Sequence, residues 1–290
     1  MKILITGAGG LVGRAVAEHC TEKGDQVFGY DHKSLDITNL MMVKTRINEQ
    51  RPDFVINCAA WTDVDGCELD RAKATAENAA GPENLAKACR ETKSGLITIS
   101  TDYVFDGEKD GFYTQRDDPL PISFYGVSKL EGEQRAEAAS ARTMVVRTGF
   151  IFGPGGKNFL SKVVERARSG EQIKAISDAF GTPTYAQHLA IRLRELAQLD
   201  LPGIFHVVNA GNGASYDEFA RVALEAAGLS EANVETVGDE SLNRPARRPR
   251  NSRLSCLLSE AIGLAPLPPW HEALADFVAQ QSQPAMEVRT

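Results

Sequence analysis

The stretch "KILITGAGGLVG" (residues 2–13) sets a short apolar run against four glycines, of which Gly7, Gly10 and Gly13 are evenly spaced, and enters a helical pattern at Leu11. An apolar run of this length, rich in isoleucine, reads as a strand buried on both faces. Glycine directly after it permits a tight turn and lets backbone approach a ligand closely. The N-terminus of the following helix offers free N–H groups and the positive end of its dipole to a pyrophosphate. The spacing is G-x-x-G-x-x-G, a variant of the commoner G-x-G-x-x-G. In this strand-turn-helix position it implies a dinucleotide site.

The rhythm continues outward from that turn. "QVFGY" (26–30), "DFVINCA" (53–59), "GLITIS" (95–100) and "TMVVRT" (143–148) read as strands. Leu11–Glu22, 40–50, 71–91 and 124–139 read as helices between them. Strand-helix alternation predicts an α/β protein of the Rossmann-like, doubly wound kind with a parallel sheet. After about residue 150 the alternation loosens, with helices near 158–169, 187–198 and 215–227 and strands near 173–176, 204–208 and 233–237. A last helix is expected from Trp270 to about Gln280. We therefore expect an NAD(P)-binding domain over 1–150, with a returning segment near 185–208. A smaller C-terminal α/β substrate domain is expected over 151–184 and 209–282, and a frayed tail over 283–290.

Composition narrows the function. The 290 residues are 42% hydrophobic and 24% charged, the balance of a soluble globular protein. A formal net charge of −7 disfavours nucleic acid as a partner. Apolar runs fall well short of a membrane span, and glycine follows the first strand too early for a signal peptide, so no membrane association is expected. Five scattered cysteines without a C-x-x-C pair suggest reduced thiols in a cytoplasmic protein and no metal site. The oligomeric state is left open, a homodimer being compatible with the pattern.

The chemistry-bearing residues gather at strand ends. Asp31 closes the second strand, where a carboxylate can accept hydrogen bonds from an adenosine ribose. The basic pair His32 and Lys33 after it suits the extra phosphate of NADP, so NADPH and NADH both remain open. Asp36 and Ile37 would lie against adenine, and Cys58, Ala59 and Ala60 follow the third strand. The fourth strand ends in "STDYVFDG" (100–107), bringing Thr101 and Asp102 to the same crevice. In "SFYGVSKLEGE" (123–133), Tyr125 and Lys129 stand four apart on one helix face. An ammonium beside a phenol is expected to lower its pKa and ready it for proton transfer to a substrate oxygen.

Thr101, Tyr125 and Lys129 together resemble the catalytic trio of the short-chain dehydrogenase/reductase superfamily. The series "GAGGLVG", "LDIT", "NCAAWTDVDGCE", "STDYVFDG" and "YGVSKLEGE", with "GTPTYAQHLA" (181–190) and "RPARRPRNSRL" (244–254), is similar to the dTDP-4-dehydrorhamnose reductase family over nearly the whole chain. That resemblance implies hydride transfer from a nicotinamide cofactor, bound also through Leu11, to the C4 carbonyl of a nucleotide sugar. It implies Tyr125 as proton donor, Lys129 on the nicotinamide ribose, Thr101 on the reacting oxygen and Asp102 next to the sugar.

Two positions depart from that family. "RTGF" (147–150) puts Phe150 where a tryptophan commonly faces the sugar, which keeps an aromatic face and loses an indole donor. "SDAFG" (177–181) carries Phe180 where a polar residue is frequent. Other nucleotide-sugar reductases and epimerases of the superfamily therefore remain open, as does a non-catalytic subunit resembling the regulatory partner of methionine adenosyltransferase. Dehydration is disfavoured, because Asp102 is followed by Tyr103 and not by a glutamate. In the arginine-rich segment, at least one arginine, Arg248 or Arg250 first, is expected to hold the substrate pyrophosphate, since guanidinium forks match phosphate geometry.

Overall fold

The computed structural model describes residues 1–282; the tail expected over 283–290 lies outside them. The first half runs β1 (Lys2–Thr6), α1 (Leu11–Glu22), β2 (Gln26–Tyr30), α2 (Leu40–Gln50), β3 (Phe54–Asn57), α3 (Val64–Leu69), α4 (Arg71–Thr75), a π turn (Ala76–Ala80), α5 (Gly81–Thr92), β4 (Gly95–Thr101), α6 (Phe124–Ala139) and β5 (Thr143–Thr148). The second half runs β6 (Ile151–Phe152), α7 (Phe159–Arg168), β7 (Ile173–Ile176), β8 (Phe180–Gly181), β9 (Thr184–Tyr185), α8 (Ala186–Leu199), β10 (Gly203–His206), β11 (Ala214–Ser215), α9 (Tyr216–Ala226), β12 (Val234–Val237), α10 (Leu258–Ala261) and α11 (Trp270–Ser282).

Six strands form one parallel sheet in the order β10-β5-β4-β3-β1-β2. Strand alternation sorts the core onto its two faces. Ile3, Ile5 and Ile56 pack with α1 and α8, while Leu4, Val55 and Leu96 pack with α2, α5 and α6. The sheet is doubly wound, as the sequence predicts. α8 and β10 return from the second half to complete it, with Leu189 and Leu193 in the same cluster as Ile3. A separate core of Phe152, Leu160, Phe219, Trp270 and Phe277 holds the C-terminal elements together.

The chain reverses direction across the sheet between β1 and β3, and such a switch point leaves a crevice at the strand ends. Gly7 sits there at φ +66°, and a Cβ on it would come within 2.7 Å of the Ala59 nitrogen. The two strand-end loops close on each other only because that side chain is missing.

The sequence read 71–91 as one helix, and the structure breaks it. Pro82 lies at the start of α5 and has no N–H to give the carbonyl four residues back, on Asn78. The backbone widens into the π turn there. Gly132 of α6 packs into the place so exposed: a Cβ on it would stand 2.0 Å from the Asn78 carbonyl oxygen. Ala at 132 would gain about 1 kcal/mol of helix propensity and lose about 1–3 kcal/mol to overpacking. Gly132→Ala should therefore lower the urea midpoint; an unchanged or raised midpoint would show that the two helices can part without cost.

Candidate active site

A cleft of about 630 Å³ opens at the C-terminal ends of β1, β3, β4 and β5 and is roofed by the C-terminal elements. Its walls include Gly10, Leu11, Cys58, Ala59 and Ala60 at one end and Thr101, Asp102, Tyr125, Lys129 and Phe150 in the middle. Ten of the residues singled out in the sequence thus share one cavity. Gly7 and Gly13 build the turn beneath it; a Cβ on Gly13 would lie 2.2 Å from the Gly7 carbonyl oxygen. Gly10 caps α1 with no side-chain hydrogen bond, which leaves the first helical N–H groups facing the cleft. The donor-rich, side-chain-free turn fits a dinucleotide pyrophosphate.

The β2 end lies outside this cavity's lining. Asp31 is exposed and accepts from the Ser34 amide at 2.9 Å and the Ser34 hydroxyl at 2.6 Å, which holds its carboxyl below the usual range. His32 and Lys33 beside it are exposed. Asp36 accepts from the Thr38 amide and hydroxyl at 2.9 and 2.8 Å. The Ile37 side chain is buried in the core below Gly81, so it offers a ligand only its backbone.

Ser123 caps α6 by accepting from the Gly126 amide at 3.2 Å, and the helix then buries Tyr125 and Lys129 on one face. The Lys129 ammonium donates to the Ile99 carbonyl at 2.6 Å, on the strand that carries Thr101. Burial lowers its pKa to about 8, opposed by the charge of Glu133 one turn along. The phenol departs from the sequence expectation. Burial pushes the Tyr125 pKa up, a hydrogen bond with Thr101 opposes the rise, and Asp102 and Cys67 add to it. Desolvation outweighs any pull from the ammonium, so Tyr125 is held as the neutral, proton-donating form. Asp102 is buried too, and its pKa rises to about 6 through desolvation, against hydrogen bonds from Ser252 and Thr101.

Phe150 adopts φ +47°, a left-handed conformation that a bulky side chain rarely takes. Its ring fills the space above Gly181, where a Cβ would come within 2.2 Å, and lies 4.4 Å from the Tyr216 ring. Strain of this kind persists where surrounding packing over-determines it, here at a cleft wall.

The arginine segment is arranged differently from the sequence expectation. Arg248 grips Asp65 through two hydrogen bonds of 2.8 Å, and Arg250 projects into solvent, 3.6 Å from Glu240. Neither lines the cleft; Arg244 does, beside Asn158, Phe159, Lys174, Tyr216 and Leu242. These side chains come from separate C-terminal elements, so no local motif announces them. The basic segment was the one legible signal, and it did not say which arginine turns inward.

A family model described as RmlD substrate binding domain matches residues 1–283. The chain is 41% identical to a dTDP-4-dehydrorhamnose reductase of Mycolicibacterium smegmatis, covering 96% of this chain and 85% of the relative. It is 35% identical to a probable dTDP-4,6-dihydroxy-2-methyloxan-3-one 4-ketoreductase of Streptomyces antibioticus, over 98% of both. A dTDP-4-dehydrorhamnose reductase structure from Clostridium acetobutylicum superposes with TM-score 0.93 at 36% identity, covering 98% of this chain and 100% of that one. One from Bacillus anthracis, in complex with NADP, gives TM-score 0.92 at 34% identity over 97% and 100%.

Lys129 also has a stability consequence. Its folded pKa of about 8 lies below the ordinary lysine value of 10.5, so the folded state holds this proton less tightly than the unfolded chain. Stability therefore rises as pH climbs from about 8 toward 10. Lys129→Met should raise the melting temperature near pH 7, by removing a buried charge, and the gain should shrink as pH rises toward about 10. A variant that melts lower than wild type near neutrality would contradict this.

Proposed function

The chain belongs to the RmlD substrate-binding-domain family, and we propose that it reduces the C4 carbonyl of dTDP-4-dehydro-L-rhamnose to give dTDP-L-rhamnose, with NADPH or NADH as reductant. It is an NAD(P)-dependent oxidoreductase of Rossmann architecture acting on a nucleotide sugar. The observation that carries the assignment is the single cleft in which the glycine turn, Thr101, Tyr125 and Lys129 meet aromatic and basic side chains of the C-terminal elements.

The bound cofactor supplies the hydride. The turn of Gly7, Gly10 and Gly13 would hold its pyrophosphate on the N-terminus of α1. Asp31, His32 and Lys33 would meet the adenosine ribose, Asp36 and the Ile37 backbone the adenine, and Cys58, Ala59 and Ala60 the adjoining wall. Lys129 would meet the nicotinamide ribose. As C4 is reduced, negative charge grows on its oxygen, and Tyr125 gives that oxygen the phenolic proton. The raised pKa suits the task, because the phenol is fully protonated when the substrate arrives. Thr101 adjoins the phenol and spends its hydroxyl proton on Asp102 at 3.0 Å, so its part in the reduction is to accept and to align. Phe150 and Tyr216 form an aromatic wall for the sugar, with Asp102 beside it. Arg244 and Lys174, which line the far end of the cleft although each also pairs with an acid, Asp239 and Glu235, suit the pyrophosphate; Arg248 lies off the cleft on Asp65.

A second substrate reading has its own support. The Streptomyces antibioticus relative is named for a different dTDP-sugar ketone, and Phe150 alters the wall that meets the sugar. Following NADPH absorbance with each of the two ketones separates the readings: the substrate with the higher kcat/KM is the assigned one. Neither reading depends on the chain's location; among the described residues no helix is long and apolar enough to cross a membrane.

Tyr125→Phe should cut kcat by roughly 10²–10⁴-fold, the usual worth of general acid catalysis, and leave NADPH affinity nearly unchanged. Turnover close to wild type would remove Tyr125 from the mechanism. Arg244→Ala should raise KM for the dTDP-sugar by roughly ten-fold or more and spare that for NADPH, while Arg250→Ala leaves both in place. A rise in substrate KM with Arg250→Ala alone would return the clamp to the exposed arginine.

A further inference from the structure

The segment 244–254 does structural work that its arginines obscured. Its backbone is hydrogen-bonded along both sides. The Phe180 amide donates to the Arg250 carbonyl at 2.8 Å, and the Ser252 amide donates to the Phe180 carbonyl at 2.8 Å. Across the strap, the Tyr113 amide donates to the Arg253 carbonyl at 2.7 Å, and the Ser255 amide returns a bond to the Tyr113 carbonyl at 2.9 Å. Asn251 adds two side-chain bonds, to the carbonyls of Lys109 and Gly111 at 2.6 and 2.7 Å. The segment therefore stitches β8 of the C-terminal elements to the loop after β4.

Ser252, 1% exposed, sits at the centre of this strap. Its hydroxyl donates to one oxygen of the Asp102 carboxylate, and the Thr101 hydroxyl donates to the other at 3.0 Å. On a third side the carboxylate rests against Gly149, where a Cβ would lie within 2.3 Å of it. What remains of Asp102 faces the cleft. We propose that Ser252 is a positioning residue for the reduction: carried across from the C-terminal elements on the strap, its hydroxyl fixes the Asp102 carboxylate beside Thr101 so that a free lone pair receives a hydroxyl of the nucleotide sugar. The inference rests on the reductase reading for its catalytic consequence, and on the bonding pattern alone for the contact itself.

The ionisable groups around Asp102 are the phenols of Tyr125 on α6 and Tyr216 on α9, with Tyr103 next in the chain. Arg244 and Arg248 act on Tyr216, and Arg248 on Tyr103. With no cation bonded to it, the carboxylate is held by the Ser252 and Thr101 hydroxyls, helped by the backbone amides of Asp102 and Tyr103. The Asp102 pKa, raised to about 6 by burial, makes ionisation unfavourable to the fold, so its contribution to stability is fully present below the unfolded value near 3.8 and lost as pH rises through 6. Removing the Ser252 donor worsens only the ionised form.

The test is a cycle of Ser252→Ala, Asp102→Asn and the double variant, read in two ways. Ser252→Ala should lower the melting temperature more at about pH 7.5 than at about pH 5, and that difference should vanish in the Asp102→Asn background. In NADPH-saturated kinetics Ser252→Ala should raise KM for dTDP-4-dehydrorhamnose by roughly ten-fold, with a smaller change in kcat, and add nothing further once Asp102 is asparagine. Arg250→Ala, whose side chain lies on the exposed face of the strap, should leave the sugar KM near wild type. An equal penalty at both pH values, or an equal loss on top of Asp102→Asn, overturns the proposal. Failure of the wild-type protein to oxidise NADPH with the ketone would instead count against the reductase reading, while the melting cycle still decides whether Ser252 serves the carboxylate.

Discussion

A buried ion pair between Glu133 and Arg147 holds the active-site elements in register. Arg147 of β5 donates to both carboxylate oxygens of Glu133 on α6, at 3.0, 3.2 and 2.7 Å, and the Ser100 hydroxyl of β4 donates to the same carboxylate. All three side chains are nearly inaccessible. Breaking such a pair from one side costs about 3–5 kcal/mol, because it strands a charge, although an apolar replacement of both partners is often no less stable. The pair is thus better explained by what it aligns than by net stability. Ser100 precedes Thr101, Arg147 precedes Thr148, and Glu133 lies one turn beyond Lys129. Fixing these neighbours brings two strand ends and one helix face to the same cleft.

Helix α6 is bound on its other flank by close approach. Gly132 meets the Asn78 carbonyl, and Asn78 in turn accepts from the Trp61 amide at 2.9 Å and donates to the Ser128 hydroxyl at 3.1 Å. The loop after β3 is therefore tied to the helix that carries Tyr125. Pro82 makes this joint by denying Asn78 its helical partner. Glycine against carbonyl on one side and carboxylate against guanidinium on the other leave α6 little freedom to slide.

How much of this was legible in the sequence follows from the range of the interactions. Strands and the first helices showed because apolar runs and glycine turns are local, and β1, α1, β2, α2 and β5 fall where the pattern placed them. Tyr125, Lys129 and Thr101 showed because four-residue spacing and strand-end position are local too. The break between α4 and α5 was hidden, although Pro82 marked it, because the surrounding alanines pattern well as one helix. The C-terminal wall of the cleft was hidden for a different reason. Phe159, Lys174, Tyr216 and Arg244 come together only through packing of separate short elements, and the sequence has no period that joins them. The arginine segment misdirected the reading because charge suggests a ligand, whereas its backbone was making a strap.

The electrostatics of the cleft, also invisible in the sequence, give the site its direction. Three groups brought into one poorly solvated space are driven toward neutrality: Tyr125 and Asp102 upward, Lys129 downward. Near neutral pH the Tyr125 phenol keeps its proton, and Lys129, at about 8, remains mostly charged. A protonated acid beside a cation is the arrangement needed where negative charge develops on a carbonyl oxygen. Were the phenol ionised in the resting site, it would repel that charge and favour proton removal from an alcohol. Burial of Tyr125 against Cys67, Ala74 and the Tyr103 ring thus biases the same residues toward delivering a proton.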